Sequence, residues 1–328
     1  MLADVVLGLQ HGDEAKGKVA HYLSKNKSYT HVLRFNGGCN AGHTIYHEGR
    51  KFVTHHIPAG VFYGIKSIIG PGCVISPKHF FEEVKELQEA GIQLHGKLFI
   101  AKNAHVITEK HLVEERDENK IGTTRRGNGP AYRDKYARKG IRAYETSSLQ
   151  PYIIDLYEEF HNDKTVKVLC EGAQGFGLDV DWGDYPYVTS SHCGIGSVFL
   201  NAVDPRWIRD VWGVAKIYET YVGTKSFEPD DPTFQTLRDL GEEYGATTGR
   251  PRQCNWLNLD ELRKNIVLNS VNKLVINKMD VVRKLEQWKL YHNSNLISLE
   301  SEKEMRDYII TQLPNNVEIF FSEDKNRI

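Results

Sequence analysis

The sequence predicts an α/β fold with a mainly parallel central sheet and flanking helices. Short apolar segments alternate with amphipathic ones along the chain, which is the order that a parallel sheet covered by helices requires. Glycine-rich stretches mark long loops between these segments, and long loops on such a sheet usually carry the functional site. They occupy residues 36–42, 122–129, 172–183 and 223–249. Because the 328 residues contain no repeat and no Pro/Ser-rich linker, we expect one domain that spans residues 1–328.

Each element follows from a local pattern. Residues 5–9 are an apolar run with two β-branched side chains, which is typical of a buried parallel strand, and a helix can start at Lys18. Ser76 and Pro77 are a favourable N-cap and first-turn pair for a helix that Gly91 ends. Further strands are predicted at residues 30–35, 67–69, 97–101, 166–170, 274–276 and 317–321. Further helices are predicted at residues 149–161, 259–269 and 302–313.

Composition argues against several classes of protein. The 42 basic and 43 acidic residues give a net charge of −1, which favours neither a nucleic-acid partner nor a membrane surface. The five cysteines are scattered, without a C-x-x-C pair. Neither a zinc site nor a disulfide framework is therefore indicated, and a reducing cytoplasm fits. No apolar run approaches the length of a membrane span. The N-terminus enters a strand that contains Asp4, so we expect no signal peptide.

The motif that follows the first strand, Gly12-x-x-x-x-Gly17-Lys18, matches most of a phosphate-loop pattern. We refer to residues 12–18 as the phosphate-loop motif. Val19 stands where the full pattern has a Mg²⁺-binding hydroxyl, yet the glycines and the helix N-terminus still favour an anion. Asp13 is unexpected here, because a carboxylate repels phosphate unless a metal lies between them or the acid takes a proton from the substrate. The alternative is an ordinary strand-turn-helix corner with surface charges.

Two more motifs combine glycines with polar side chains. Residues 36–44 end in His43 and Thr44, and His43 could neutralise charge on a transferring phosphoryl group or donate a proton. It could equally be a loop histidine that is bonded to its own turn. Residues 121–142 combine hydroxyls, glycines and arginines, a set that suits a monophosphate. A solvated basic face would explain the charges as well.

Three later motifs also follow or join strands. In residues 171–191, Gln174 could orient a polar ring and Thr189 could hold a phosphate. Residues 245–252 offer two hydroxyls and two arginines, which suit a carboxylate ligand because arginine binds carboxylates in bidentate fashion. Residues 277–280 resemble the guanine-reading tetrapeptide of GTP-binding proteins. A carboxylate such as Asp280 can accept hydrogen bonds from guanine N1–H and the 2-amino group, which adenine does not present.

Taken together, these motifs resemble the adenylosuccinate synthetase family, the GTP-dependent ligases of purine synthesis. The resemblance runs in the family's order across nearly the whole chain and implies the P-loop-NTPase-like adenylosuccinate synthetase fold. The chain is shorter than the common bacterial form of the family and is more similar in length to the compact archaeal or phage branch. The matching segments are residues 8–18, 40–44, 121–142, 171–191, 216–223, 245–257 and 277–281.

The resemblance implies a homodimer and a two-step reaction. The 6-oxygen of IMP attacks the γ-phosphate of GTP, and L-aspartate then displaces phosphate from 6-phosphoryl-IMP. It assigns Asp13 as catalytic base and Mg²⁺ ligand, His43 as the residue that stabilises the transferring phosphoryl group, and the Gly42 carbonyl as a second Mg²⁺ ligand. The implied GTP-binding residues are Gly12, Lys16, Gly17, Lys18, Lys278 and Asp280. The implied IMP-binding residues are Asn40, Thr124, Arg138, Gln174 and Thr189, with Arg138 acting across the dimer interface. The implied aspartate-binding residues are Thr247, Thr248, Arg250 and Arg252, which lie in residues 245–252, and we call this segment the aspartate loop.

Two alternatives stay open at this point. The phage branch of the family joins aspartate to dGMP rather than IMP, and it tends to carry a smaller residue where Asp13 stands, so the retained acid favours IMP. A GTP-binding switch protein without ligase activity would explain the phosphate-loop motif and residues 277–280. Val19 and the aspartate loop argue against it.

Overall fold

The computed structural model describes residues 1–118, 120–245, 249–323 and 327–328. Their strands are β1 (Leu2–Gly8), β2 (His31–Arg34), β3 (His43–His47), β4 (Arg50–Thr54), β5 (Lys66–Ile69), β6 (Val74–Ile75), β7 (Leu98–Ala101), β8 (His105–Val106), β9 (Ile153–Ile154), β10 (Lys167–Glu171), β11 (Ile208–Lys216), β12 (Tyr218–Tyr221), β13 (Gln253–Asn258), β14 (Lys273–Asn277), β15 (Trp288–His292), β16 (Asn295–Leu299) and β17 (Glu318–Phe321).

Helices pack on both faces of the central sheet. They are α1 (Lys16–Asn26), α2 (Pro77–Glu89), α3 (Glu109–Glu115), α4 (Asn128–Tyr136), α5 (Leu156–His161), α6 (Gly196–Phe199), α7 (Thr233–Gly241), α8 (Leu259–Leu268), α9 (Met279–Leu285) and α10 (Glu302–Gln312). Short 3-10 helices cover Ala59–Tyr63, Ala143–Glu145, Ser147–Tyr152, Phe176–Leu178 and Pro205–Trp207. None of the helices within the described residues has both the length and the apolar character that crossing a bilayer demands.

A nine-stranded sheet forms the centre, in the order β17-β14-β11-β1-β10-β2-β5-β7-β9. Every neighbouring pair in it is parallel, which confirms the predicted fold class. β1 lies between β10 and β11, and its residues 3–8 are buried because helices cover both faces of the sheet. Smaller sheets flank this centre: β12-β13-β15-β16, the hairpin β3-β4 and the pair β6-β8.

Most of the predicted elements are confirmed, with ends that differ by a few residues. The Ser76 hydroxyl accepts the His79 N–H at the start of α2, with Pro77 in the first turn, as the sequence predicts. The single helix predicted at residues 149–161 is wrong. Pro151 lies in a 3-10 helix, the chain then extends through β9, and α5 starts anew where Asp155 caps it.

The long central strand β11 has no counterpart among the predicted strands. Near its start, β11 carries the charged residues Arg209 and Asp210, which separate Ile208 from the apolar residues 211–215. Arg209 is accommodated because its guanidinium pairs with the buried carboxylate of Asp4 on the neighbouring strand β1. Because this charge pair joins two strands that are distant in sequence, a local hydrophobic pattern cannot predict it.

Candidate active site

The predicted site motifs meet at the carboxyl edge of the central sheet. The phosphate-loop motif follows β1, residues 36–42 follow β2, residues 172–175 follow β10, and Lys278 follows β14. Strands that run parallel end at the same edge, so loops far apart in sequence become neighbours. A Cβ placed on Gly175 would lie 2.7 Å from the Gly12 nitrogen. The loop after β10 therefore lies directly against the phosphate-loop motif.

A buried carboxylate inside the phosphate-loop motif braces it. Glu14 Oε1 accepts the backbone N–H groups of Gln10, at 3.1 Å, and Gly12, at 2.9 Å. Glu14 Oε2 pairs with the Lys16 ammonium at 2.6 Å, and both side chains are almost fully buried. Lys16, assigned to the nucleotide phosphates, is thus held within the motif. Glu14 received no role from the sequence, because its partners are backbone amides and a lysine whose burial only the structure shows.

The backbone of this motif requires left-handed conformations at three positions. Gly12, Asp13 and Ala15 have φ angles of 87°, 59° and 72°. Such angles cost little at glycine but strain other residues, and they concentrate at functional sites. The turn at Ala15 starts α1, so the amides of Lys16 and Gly17 lie at a helix N-terminus, where anions are favoured.

Asp13 lies at the end of a chain of charged groups that reaches into the core. Its Oδ2 is 2.9 Å from Arg252 Nε, and Arg252 Nη1 donates to Glu243 Oε2 at 2.6 Å. Glu243 Oε1 accepts from the Lys216 ammonium at 3.1 Å and from the Tyr218 hydroxyl at 2.6 Å. Burial raises the pKa of Glu243, but Lys216 and Arg252 outweigh it and bring the pKa down to about 2. The Asp13 side chain keeps 35% of its surface exposed, so this carboxylate can still meet a ligand.

His43 forms a second buried cluster below the phosphate-loop motif. Its Nδ1 lies 2.5 Å from Glu171 Oε1, which also accepts from Arg34 Nη2 at 2.7 Å. Burial and the Arg34 cation lower the pKa of His43 to about 4, against the pull of Glu171. The opposite ring nitrogen, Nε2, is buried and has no hydrogen-bond partner among the described residues. That nitrogen is the part of the ring that a ligand can use.

The residues assigned to IMP lie on five separate loop segments. Gln174 has a φ of 55° and both atoms of its buried amide lack partners within the described chain, which is the condition of a side chain awaiting a polar ligand. Asn40 Oδ1 accepts the Gly38 N–H at 3.2 Å, and Thr189 is half-buried with its N–H on Leu178 O. Thr124 and Arg138 are exposed. Arg138 therefore faces outward from the end of α4.

Residues 277–280 are joined to the phosphate-loop motif by hydrogen bonds of Asn277. Asn277 Oδ1 accepts from the Lys18 ammonium at 2.5 Å, and Asn277 Nδ2 donates to Glu14 O at 2.8 Å. Lys278 has a φ of 70° and its ammonium donates to Gly241 O at 2.7 Å. Asp280 lies half-buried in the first turn of α9. A base read by Asp280 and a phosphate held near Lys18 would thus share one rigid frame.

The aspartate loop is described in part. Thr247 and Thr248 lie outside the described residues. Gly245 N–H donates to Arg250 O at 2.8 Å, and Arg250 is exposed. Arg252 reaches the phosphate-loop motif through its ion pair with Asp13.

Comparisons with known proteins identify the family of this chain. A family model described as adenylosuccinate synthetase matches residues 5–148 and 143–312. Adenylosuccinate synthetases of Chlorobium chlorochromatii and Picrophilus torridus are 38% and 40% identical to this chain, and each alignment covers 88% of the chain and 79% of the relative.

Solved structures give the same answer for the fold. A fully ligated adenylosuccinate synthetase from Plasmodium falciparum superposes with a TM-score of 0.86 at 28% identity, covering 98% of this chain and 97% of that one. The succinoaminodeoxyadenylate synthetase of cyanophage S-2L, bound to dGMP and to dATP as an energy donor, superposes with a TM-score of 0.77 over 98% and 92% of the two chains. At 22% identity that second likeness concerns the fold alone. The chain is an enzyme of the adenylosuccinate synthetase family.

Proposed function

We propose that this enzyme joins IMP to L-aspartate with GTP as phosphoryl donor, through a 6-phosphoryl-IMP intermediate. The observation that carries the proposal is the partly exposed Asp13 carboxylate within an anion-binding loop. The other acid of that loop, Glu14, is buried and contacts two backbone N–H groups and Lys16, whereas the Asp13 carboxylate keeps an exposed surface that substrate could contact. A base there would take the N1 proton of the purine, which makes the 6-oxygen nucleophilic.

The remaining residues divide between the three substrates. Lys278 and Asp280 would read guanine, and the amides of the phosphate-loop motif with Lys16 and Lys18 would hold its phosphates. Gln174 offers an unsatisfied buried amide to the purine monophosphate, which Asn40, Thr124 and Thr189 would help to bind. Arg252 and Arg250 would bind the carboxylates of L-aspartate, together with Thr247 and Thr248. His43 Nε2 would contact the transferring phosphoryl group.

The donor set fits a magnesium ion. Asp13 supplies a partly exposed carboxylate, and a Cβ on Gly42 would meet no atom within 4 Å, so open space adjoins its backbone. Hard oxygen donors with room for water and phosphate oxygens are what Mg²⁺ prefers. When bound, the ion would neutralise charge on the phosphates. We also propose a cytoplasmic homodimer in which exposed Arg138 reaches the monophosphate site of the partner subunit.

One turnover experiment tests the substrate assignment. The purified protein is incubated with Mg²⁺ and each combination of IMP or dGMP, GTP or ATP, and L-aspartate, and products are identified by chromatography and mass spectrometry. We expect adenylosuccinate and GDP from IMP, GTP and aspartate. Faster turnover of dGMP than of IMP would identify dGMP as the acceptor. GTP hydrolysis that is equally fast without aspartate and purine monophosphate would indicate a switch protein instead.

An isosteric variant tests the base. Asp13→Asn keeps the size of the side chain, and asparagine tolerates the left-handed backbone at this position. Because an amide cannot take the proton, we expect phosphoryl transfer to fall by about 10²- to 10⁴-fold, with an unchanged circular dichroism spectrum. Turnover close to that of the wild type would refute the mechanism.

Mixed dimers test the role of Arg138. Asp13→Asn and Arg138→Leu each inactivate a different half of the shared site. If Arg138 acts across the interface, mixing the two inactive variants restores part of the activity, because one site per mixed dimer is intact. No recovery, with mixed dimers verified by mass, would place Arg138 outside the neighbouring site.

A further inference from the structure

The inference concerns Glu171, which ends β10 at the site edge of the sheet and is fully buried. Resting on the proposed function, we propose that Glu171, anchored by Arg34, is a positioning residue that fixes the His43 imidazole with Nε2 turned toward the transferring phosphoryl group. No role was assigned to this glutamate from the motifs, although residues 171–191 begin with it.

The carboxylate of Glu171 is held at both oxygens. Oε1 lies 2.5 Å from His43 Nδ1 and 2.7 Å from Arg34 Nη2, and Oε2 accepts the Ala59 N–H at 2.8 Å. The three donors come from β3, β2 and the 3-10 helix that starts at Ala59. Rotation of the carboxylate would break contacts with three separate elements, so the ring that it contacts has a fixed reference.

The contact also decides which ring nitrogen carries a proton. Burial raises the pKa of Glu171, but the Arg34 cation and the His43 hydrogen bond outweigh it and bring the pKa to about 2. Arg34 Nη2 also lies 3.1 Å from His43 Nδ1, but it is closer to Glu171 Oε1, at 2.7 Å, and His43 Nδ1 is closer still to that oxygen, at 2.5 Å. Because the ionised carboxylate can only accept, both Arg34 Nη2 and His43 Nδ1 donate to it. Nε2 is thereby the nitrogen left for a ligand. A carboxylate behind a histidine fixes tautomer and orientation in this way in other catalytic sites.

The root of the His43 side chain packs against the phosphate-loop motif. A Cβ on Gly17 would lie 2.7 Å from His43 Cβ and 3.2 Å from His43 Cγ, so only glycine allows the helix start to approach the histidine this closely. Gly17 therefore confines the side chain at Cβ, while Glu171 holds its Nδ1. Its Nε2 is buried without a partner in the described residues, which is costly in a folded protein unless a ligand satisfies it.

A purely structural role for Glu171 predicts different behaviour. If the glutamate only joined β2, β10 and the β3-β4 hairpin, its loss would lower stability and affect all substrates alike. If it acts through His43, its loss matters only while His43 is present. The chain offers a matched control at the other end of the same strand β2, where Glu159 lies between His31, at 2.8 Å, and Lys66.

The experiment is a double-mutant cycle on the full enzyme. Glu171→Gln, His43→Asn, the double variant and the control Glu159→Gln are compared for kcat and for each KM. We expect Glu171→Gln to lower kcat about 10- to 100-fold with each KM within about threefold. Glu171→Gln should then cost nothing further in the His43→Asn background. Glu159→Gln should leave kcat unchanged. Independent, multiplying effects of the two site variants, or an unchanged kcat in Glu171→Gln, would overturn the proposal.

A second measurement needs no variant of Glu171 to fold. In ¹⁵N spectra of the wild-type enzyme, with His43→Asn used to assign the ring, Nδ1 of His43 should carry the proton and Nε2 should not. A ring protonated on Nε2 alone would overturn the proposal. Failure of the proposed function is distinguishable, because it would appear as missing wild-type turnover whatever the tautomer of His43.

Discussion

The Asp13 carboxylate and the Arg252 guanidinium form an ion pair, with 2.9 Å between Oδ2 and Nε. Arg252 also donates to buried Glu243, so one guanidinium links the phosphate-loop motif to the base of the aspartate loop. The proposed base for the purine and a proposed ligand for the amino acid are therefore in direct contact. A substitution of Arg252 should therefore slow both steps of the reaction.

Arg252→Lys tests that contact. Lysine keeps the charge but lacks the planar fork that serves two carboxylates at once. We expect KM for L-aspartate to rise by about tenfold or more and kcat to fall, while KM for GTP changes by less than about threefold. Steady-state kinetics with each substrate varied in turn measure these effects. Arg283→Lys, which alters an exposed fork between Glu302 and Glu323, is the control, and an equal loss there would contradict the assignment.

Asp280→Asn tests the reading of guanine. The carboxylate accepts from N1–H and the 2-amino group, whereas asparagine offers a donor that suits the 2-oxo group of xanthine. We expect kcat/KM for GTP to fall by about 10²-fold and that for XTP to rise. Competition assays with GTP, ATP and XTP give the ratios. An unaltered order of preference would remove Asp280 from the nucleotide site.

Gly17→Ala tests the packing of the helix start on His43. The added methyl would lie 2.7 Å from His43 Cβ, so it should displace the imidazole, cost about 1–3 kcal/mol of stability and lower kcat at least tenfold. Gly196→Ala is the matched control, because a Cβ there meets nothing within 4 Å in α6. Urea unfolding and kcat are measured on both variants. Equal behaviour of the two would show that Gly17 serves no close approach.

The pH dependence of stability follows from buried histidines. Burial is the first cause that lowers the pKa of His21, His43 and His105 to about 4 in the folded protein, from 6.5. Between pH 6.5 and 4 the unfolded chain binds more protons, so the free energy of unfolding falls as pH falls through this window. Each such histidine adds up to about 1.4 kcal/mol per pH unit.

Urea unfolding at several pH values measures this slope. His105→Gln should flatten it, because one proton no longer binds on unfolding, while His95→Gln, at an exposed position, should leave it as it is. The carboxylates of Glu171 and Glu243, with pKa values of about 2, add to the loss only below about pH 4.5. A stability that is flat from pH 7 to 5 would contradict the histidine assignment.

Local patterns predicted most of the fold and failed for identifiable reasons. The apolar run at residues 5–9 and the cap at Ser76 are local signals, and both are confirmed. The helix predicted at residues 149–161 was wrong because Ile153 and Ile154 pair with β7 and Asp155 caps a new helix after them. β11 was missed although its residues 211–215 form an apolar run, which is a local signal of a buried strand.

The sequence by itself determined the fold class, the family and the order of the motifs, because apolar periodicity, glycine spacing and strand-to-loop transitions are properties of neighbouring residues. Only the tertiary structure decided which charges meet: Glu171 with His43, and Asp13 with Arg252. These pairs join loops that the chain separates widely, and the order of parallel strands alone sets which loops become neighbours at one edge of the sheet. The pKa shifts in these clusters depend on how deeply the tertiary structure buries each side chain, and no local pattern in the sequence predicts that burial.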